Sequence, residues 1–271
     1  MKICIPSKER AESMTTHLFF NSKDVLIFVE PHEVKKYQIF WPEYNIVDIK
    51  KSNQGLAYVR NFILDYIDEP KLVMADDDIS FFGKRNDKHR YDRLSDYKEM
   101  LKDIEKGLDS FWGYEIPNNS YSFFLNKNSD NKIRMTVNNK YVSVFYGINN
   151  SEFKKHNIKY DPLITSDGDD IDISIQILLN DGKICHDYKY CLAHEINTSG
   201  GLANHRKESN LSRDMILREC ATTIAKKYGV EFVKISHDSK GYARVCSFNT
   251  NLLKKRKEVV KKNYEKYLTK I

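Results

Sequence analysis

Leu72-Val73-Met74-Ala75-Asp76-Asp77-Asp78 is the stretch on which the fold turns. A short apolar run bounded by charge reads as a strand buried on both faces, ending abruptly where its chain leaves the sheet. Three adjacent carboxylates cannot be buried unpaired, and each raises its neighbours' pKa unless a cation intervenes. In an extended segment Asp76 and Asp78 point the same way, so either or both could hold a divalent metal. All-oxygen ligation suits Mg²⁺ or Mn²⁺ shared with a substrate phosphate better than zinc. The alternative is a solvated turn with spare acids. Ligands of open α/β sheets bind beyond the carboxyl ends of the strands, which is where this cluster falls.

Upstream, short β-branched runs alternate with helical segments. Lys2–Ile5, Val25–Val29 and Ile46–Ile49 read as strands, and Glu9–Phe20, Glu33–Phe40 and Gly55–Tyr66 as helices. That rhythm predicts an α/β fold with a mixed, mostly parallel, Rossmann-like sheet flanked by helices. Downstream, helices are predicted over Leu94–Phe111, Ile171–Leu179 and Leu211–Tyr228, the last closed by Gly229. Tyr121–Leu125, Ile133–Val137, Tyr141–Tyr146, Tyr188–Leu192, Val230–Ile235 and Ala243–Phe248 read as strands, and a basic helix ends the chain. The expected organisation is a catalytic core over 1–205 and a helix-strand-strand-helix extension over 206–271, packed on the core.

Twelve per cent aromatics spread along 271 residues exclude a disordered chain. No apolar stretch is long enough to span a bilayer, and Lys2 runs straight into a strand without a secretory h-region. Five scattered cysteines with no C-x-x-C pair read as reduced thiols, so a cytoplasmic location is expected, with no membrane partner. The net charge of +6 is concentrated at the end, where Asn251–Ile271 holds eight Lys/Arg against two Glu. Such a helix is either a solvated face or a contact for an anionic polymer.

Three further clusters carry chemistry. Asp167-Gly168-Asp169-Asp170-Ile171-Asp172 opens a helix, where a carboxylate can stay ionised as a general base; ordinary acidic capping is the competing reading. In Asn53-Gln54-Gly55 followed by Arg60, the glycine permits close backbone approach, and the helix start favours an anion. Pro6-Ser7-Lys8-Glu9-Arg10 after the first strand is a phosphate or base contact, or a plain turn. His194 could complete a metal site, with His186 and His205 as competitors.

In order, IPSKERA (Ile5–Ala11), VLIFVEP (Val25–Pro31), NQGLAYVRN (Asn53–Asn61), LVMADDD (Leu72–Asp78) and DGDDIDIS (Asp167–Ser174) resemble the motifs of GT-A nucleotide-sugar glycosyltransferases, over about residues 1–195. Within that fold the chain is most similar to the phage-type glycosyltransferases associated with TET/JBP base oxidation. The resemblance implies a GT-A fold and transfer of a sugar, from a UDP-sugar first, to a hydroxylated or hydroxymethylated pyrimidine such as hydroxymethylcytosine in bacteriophage DNA. It implies Asp76 and Asp78 as the D-x-D metal ligands for Mn²⁺ or Mg²⁺, with His194 as the late ligand. Donor contacts would come from Pro6, Ser7, Arg10, Glu30, Asn53, Gln54, Gly55, Arg60, Asp76 and Asp77. The base would be Asp170, with Asp169 and Asp172 open because the family's usual Glu-Asp pair is Asp-Asp here. Two other readings remain: the same fold acting on a glycan, lipid or protein, and a metal-dependent phosphoesterase using the same aspartates.

Overall fold

The computed structural model describes residues 1–86, 91–118, 135–138, 141–164, 168–194, 212–237 and 243–269. Its strands are β1 (Lys2–Pro6), β2 (Val25–Val29), β3 (Asn45–Asp48), β4 (Lys71–Ala75), β5 (Ile79–Arg85), β6 (Tyr91–Arg93), β7 (Gly113–Glu115), β8 (Met135–Val137), β9 (Phe145–Asn149), β10 (Ile184–Asp187), β11 (Tyr190–His194), β12 (Val233–His237) and β13 (Ala243–Phe248). The helices are α1 (Val34–Phe40), α2 (Leu56–Tyr66), α3 (Lys98–Gly107), α4 (Asn150–Lys155), α5 (Asp169–Leu179), α6 (Arg213–Tyr228), α7 (Thr250–Lys255) and α8 (Lys257–Leu268).

Eight strands form one sheet in the order β3-β2-β1-β4-β9-β7-β10-β8. The first four are parallel, with Cys4 opposite Leu26 on one side and Met74 on the other. Beyond β4 the sheet turns mixed, because β9 runs antiparallel to both β4 and β7. VLIFV is buried at every position, as its unbroken apolar pattern predicts for a strand covered on both faces. The two faces carry separate cores, one built on Ile3, Ile5, Ile27 and Val73, the other on Cys4, Phe28, Met74 and Ile63 of α2. A smaller antiparallel sheet, β11-β5-β6, lies beside the acidic turn, since β5 begins immediately after Asp78.

The C-terminal helices build a third core, in which Cys220, Ala221, Ile224 and Tyr228 of α6 and Val260 of α8 pack on Ile171 and Ile175 of α5. The expected boundary at 205/206 lies outside the described residues, as do Tyr121–Leu125 and His205. No described helix is long and apolar enough to cross a membrane. Cys4, Cys185, Cys191 and Cys220 are free and buried.

Three predicted elements need correction. Glu9–Phe20 is not a helix but turns followed by a 3-10 segment over Thr16–Phe19. Its donors go elsewhere: Thr15 N and Thr16 N donate to the Asp77 carbonyl, and Thr16 Oγ1 donates to the Asp76 carbonyl. The segment thus splints the acidic turn. Tyr141–Tyr146 enters the sheet only at Phe145, because the Ser143 N–H and hydroxyl are held by Glu115. The basic end is two helices, broken at Arg256, which caps α7 with φ −128.

Candidate active site

The carboxyl ends of β1, β2 and β4 bring Ser7, Glu30 and the three aspartates to one edge of the sheet. Asp77 faces inward: Ser7 Oγ donates to its Oδ2 at 2.5 Å, and Arg10 Nη1 lies 2.6 Å from its Oδ1. Ser7 also meets the Tyr37 hydroxyl at 2.8 Å, which anchors the loop to α1. Arg10 reaches Asp78 Oδ2 as well, at 3.3 Å. Asp77 is therefore an internal strut that positions Ser7 and Arg10, rather than a surface offered to a donor.

Asp76 and Asp78 are in a different electrostatic position. Burial, then the charges of Asp78 and Asp77, push the Asp76 carboxyl up to about 7 against the pull of Arg60, although its side chain keeps 39% of its surface open. Asp78 is raised too, by burial first and then by Asp77, with Arg10 and His194 opposing. Its Oδ1 is buried and has no hydrogen-bond partner. Carboxylates raised by burial and then by one another's charge, one with an orphan oxygen, fit a divalent cation. His194 Nδ1 lies 2.7 Å from Asn118 Nδ2, leaving Nε2 as the nitrogen for a ligand, while His186 is buried with Nε2 on the Tyr141 carbonyl. Asp76, Asp78 and His194 do not converge as a ready-made trio. Among the described residues, the set of three such groups within 4.8 Å of one another is Glu30, His32 and Glu33.

That second set lies at the end of β2. Glu30 Oε1 accepts from Asn53 N at 2.9 Å and pairs with Lys8 at 3.1 Å, while Glu33 Oε1 accepts from Glu9 N. Oε2 of each glutamate is buried without a hydrogen-bond partner. Lys8 also donates to Asn53 Oδ1, so the loops after β1 and β3 close on Glu30. Asn53 (φ +57) and Gly55 (φ +80) bend the backbone into the start of α2, and a Cβ at Gly55 would meet nothing within 4 Å. This leaves an open cradle at a helix N-terminus, where an anion is favoured. Gln54 is exposed and bonds only the Ser52 carbonyl among the described contacts; Pro6 ends β1 beside Ser7.

Arg60 departs most from its expected place along a diphosphate. It is 4% exposed and forms ion pairs with Asp169 on α5 and Asp76 at 3.2 Å, with its guanidinium 5.5 Å from the Tyr160 ring. It joins the donor-side acid to the acid helix instead of lying free. Asp170 is half-buried at the first turn of α5. Asp172 is wholly buried, 2.7 Å from Lys227 Nζ, and accepts from the Tyr228 hydroxyl and Gln176 Nε2, which leaves it no surface for an acceptor.

Two participants carried no sequence signal. Glu115 is buried, pushed up to about 8 by its burial, and feels the charges of Asp170 on α5 and of Asp76 just after β4. Its sequence context, Gly113-Tyr114-Glu115, holds no cluster to mark it. Lys227 looks like one basic residue among several at a helix end, and only the packing of α6 on α5 reveals its partners.

A family described as TET-associated glycosyltransferase matches residues 1–202. No curated protein sequence matches the chain significantly. Similar solved structures include Staphylococcus aureus TarS 1-349 in complex with UDP-GlcNAc, at 15% identity and TM-score 0.51, covering 83% of this chain and 67% of that one. They also include the mannosyltransferase PcManGT from Pyrobaculum calidifontis in complex with GDP-Man and Mn²⁺, at 10% identity and TM-score 0.53, covering 82% and 63%. GalNAc-T7 with UDP, GalNAc and Mn²⁺ is similar at 12% identity and TM-score 0.50, covering 71% and 43%. The chain thus spans about two thirds or less of these neighbours' lengths. At such identities the likeness shows the fold, which is GT-A.

Proposed function

Starting from the membership of this chain in the TET-associated glycosyltransferase family, we propose that this glycosyltransferase moves a sugar from a nucleotide-sugar donor, a UDP-sugar first, to a hydroxylated or hydroxymethylated pyrimidine of DNA. The observation that carries the donor side is the acidic turn after β4, with its orphan Asp78 oxygen, opposite the open cradle at Gly55. A nucleoside fits between the loops after β1 and β2, where Glu30 Oε2, 3.7 Å from His32 Nδ1 and without a hydrogen-bond partner, accepts an N–H of the base. The diphosphate then runs across the α2 N-terminus toward Arg10 and the aspartates.

Asp76, Asp78 and His194 would hold a Mg²⁺ or Mn²⁺, which supplies neutralisation of the leaving diphosphate. The chain's own part is positional and electrostatic. The N–H groups at the start of α2 face the departing charge, and their fixed dipoles need no reorganisation as it develops. Arg60 keeps Asp76 and Asp169 at a set separation, so donor and acid helix move as one unit. Asp170, beside Asp169 on the acceptor side, removes the acceptor hydroxyl's proton. A pyrimidine 5-substituent already projects into the major groove, so the exposed lysines of α8 can meet flanking phosphates with little distortion of the duplex.

The test is release of nucleoside diphosphate from a panel of nucleotide sugars, with and without metal, with and without 5-hydroxymethylcytosine DNA. Release that requires metal and modified DNA, and is lost in Asp78→Ala, is expected. Release indifferent to DNA would move the acceptor to a glycan, lipid or protein, and nicked DNA without release would point to phosphoester chemistry.

A further inference from the structure

The helix that carries Asp169 and Asp170 is held from behind by residues beyond the family match. Gly168, which caps α5, has φ +96, and a Cβ there would lie 2.2 Å from Cys220 Sγ and 3.2 Å from Ile224 Cδ1. Helix α6 therefore touches the backbone at the start of the acid helix. One turn further on, Asp172 meets Lys227 Nζ at 2.7 Å, and the same ammonium reaches Asp161 Oδ2 at 3.0 Å. Lys227 is 3% exposed, with the rings of Tyr228, Tyr264 and Tyr267 at 5.5, 5.3 and 5.7 Å. Tyr267 also donates to Asp161, and Tyr264 to Gln176 of α5.

One buried cation thus ties together both ends of the segment 161–172, which contains Asp169 and Asp170. A buried ammonium between two carboxylates cannot shift without leaving one of them uncompensated, so the arrangement tolerates very little rotation of the first turn of α5. Arg60 grips the same turn through Asp169 from the donor side. A single turn fixed by two buried cations, one in the GT-A core and one in the C-terminal helices, has its carboxylates set relative to the donor.

We propose that Lys227 is a positioning residue for sugar transfer: with the Gly168–Cys220 contact it fixes the first turn of α5, and so the reach of Asp170 to the acceptor. The C-terminal helices then belong to the active site's scaffold, in addition to any surface they offer to DNA. The inference rests on the reading of Asp170 as the base. Small displacements of a reacting group cost on the order of a hundredfold in rate, so the effect should fall on turnover and not on donor binding.

The experiment compares the wild type with Lys227→Arg and with the pair Lys227→Met/Asp172→Asn, which keeps the net charge of the cluster and leaves Asp161 its hydrogen bond from Tyr267, while exchange at β1 and β4 guards against simple unfolding. Three quantities are read: nucleoside diphosphate affinity by calorimetry, kcat of transfer, and amide exchange at 168–173 set against β1 and β4. The double variant is expected to bind nucleotide within about twofold of wild type and to lose about a hundredfold in kcat. Its α5 first turn should exchange about tenfold faster, with β1 and β4 unchanged. Recovery of most of the turnover in Lys227→Arg supports the assignment. Unchanged exchange at 168–173, or a kcat that falls only with the folded fraction, overturns it. If the wild type transfers to no acceptor, the functional reading fails, and the exchange data still decide whether Lys227 sets this turn.

Discussion

Arg60 and Lys227 invite comparison, since each is a buried cation bridging two carboxylates and each touches the first turn of α5. They differ in what lies beyond their partners. Asp76, on Arg60, keeps 39% of its side chain open, whereas Asp161 and Asp172, on Lys227, are closed at 6% and 0%. A bridge with one open end can pass charge to a ligand, and a closed one can only hold shape. The same chemical motif thus serves the site directly in one place and supports it in the other.

The sharpest way to break this comparison lies within one helical turn. Asp170 is half-buried and Asp172 wholly buried, so Asp170→Asn should remove a proton acceptor without touching the core. Its kcat is expected to fall about 10³-fold, on the order of 4 kcal/mol of barrier, with the thermal midpoint unchanged. Asp172→Asn should do the converse, losing stability while retaining measurable turnover. Equal losses of turnover with equal stability in the two variants would show that burial does not separate their roles.

Next in size are the bridges themselves. Truncating either cation leaves buried carboxylates unpaired, at a cost of about 3–5 kcal/mol in denaturant unfolding. Only Arg60→Met should also weaken nucleotide binding, because only it releases Asp76 at the open edge. A Lys227→Met protein that bound nucleotide as poorly as Arg60→Met would erase the distinction.

How far the sequence foretold this follows from where the interactions lie. The parallel half of the sheet was legible because β2 and β4 announce burial on both faces, with every residue of Val25–Val29 apolar and buried. The strand β7 is too short at three residues, and β9, as long as β2 but carrying Gly147 and Asn149, is too mixed in composition for periodicity to mark it. Asp76, Asp78 and Glu30 stand where strand ends should place a ligand crevice. The sequence marks Arg60 as a candidate donor contact but not as a buried residue, because its partner Asp169 is 109 residues away and no local pattern records such a pair. Glu9–Phe20 has helix-compatible residues, yet the carbonyls of Asp76 and Asp77 outcompete the helix for its donors.

Glu115 gives the same contrast between open and closed sites a pH axis. Its folded pKa of about 8 lies above the ordinary carboxylate value, so between those two pH values the folded chain binds the extra proton. The stability it contributes is complete at low pH and is lost as pH rises through about 8, on the order of 5 kcal/mol across the window. Glu115→Gln keeps an acceptor for the Ser143 hydroxyl and cannot ionise. Urea unfolding of this variant should therefore lose less stability than wild type between pH 4.5 and pH 8, the two ends of the window. Identical slopes in the two proteins would place the ionisation of Glu115 elsewhere.

The smallest expected effect concerns the outer face of the C-terminal helices, opposite the closed Lys227 bridge. Lys261, Lys262 and Lys266 are exposed on α8, while Val260 of the same helix is buried. One helix thus presents a packed face to α6 and a cationic face outward. If the outer face meets DNA phosphates, each lysine replaced by Gln should lower the salt slope of DNA binding by about 0.9, because one fewer counterion is released. Nucleotide affinity and amide exchange at α5 should not change, since no described contact links these three side chains to the acid helix. A triple substitution that leaves the salt slope intact would assign DNA contact to another surface, and the C-terminal helices would then act on the site through Lys227 alone.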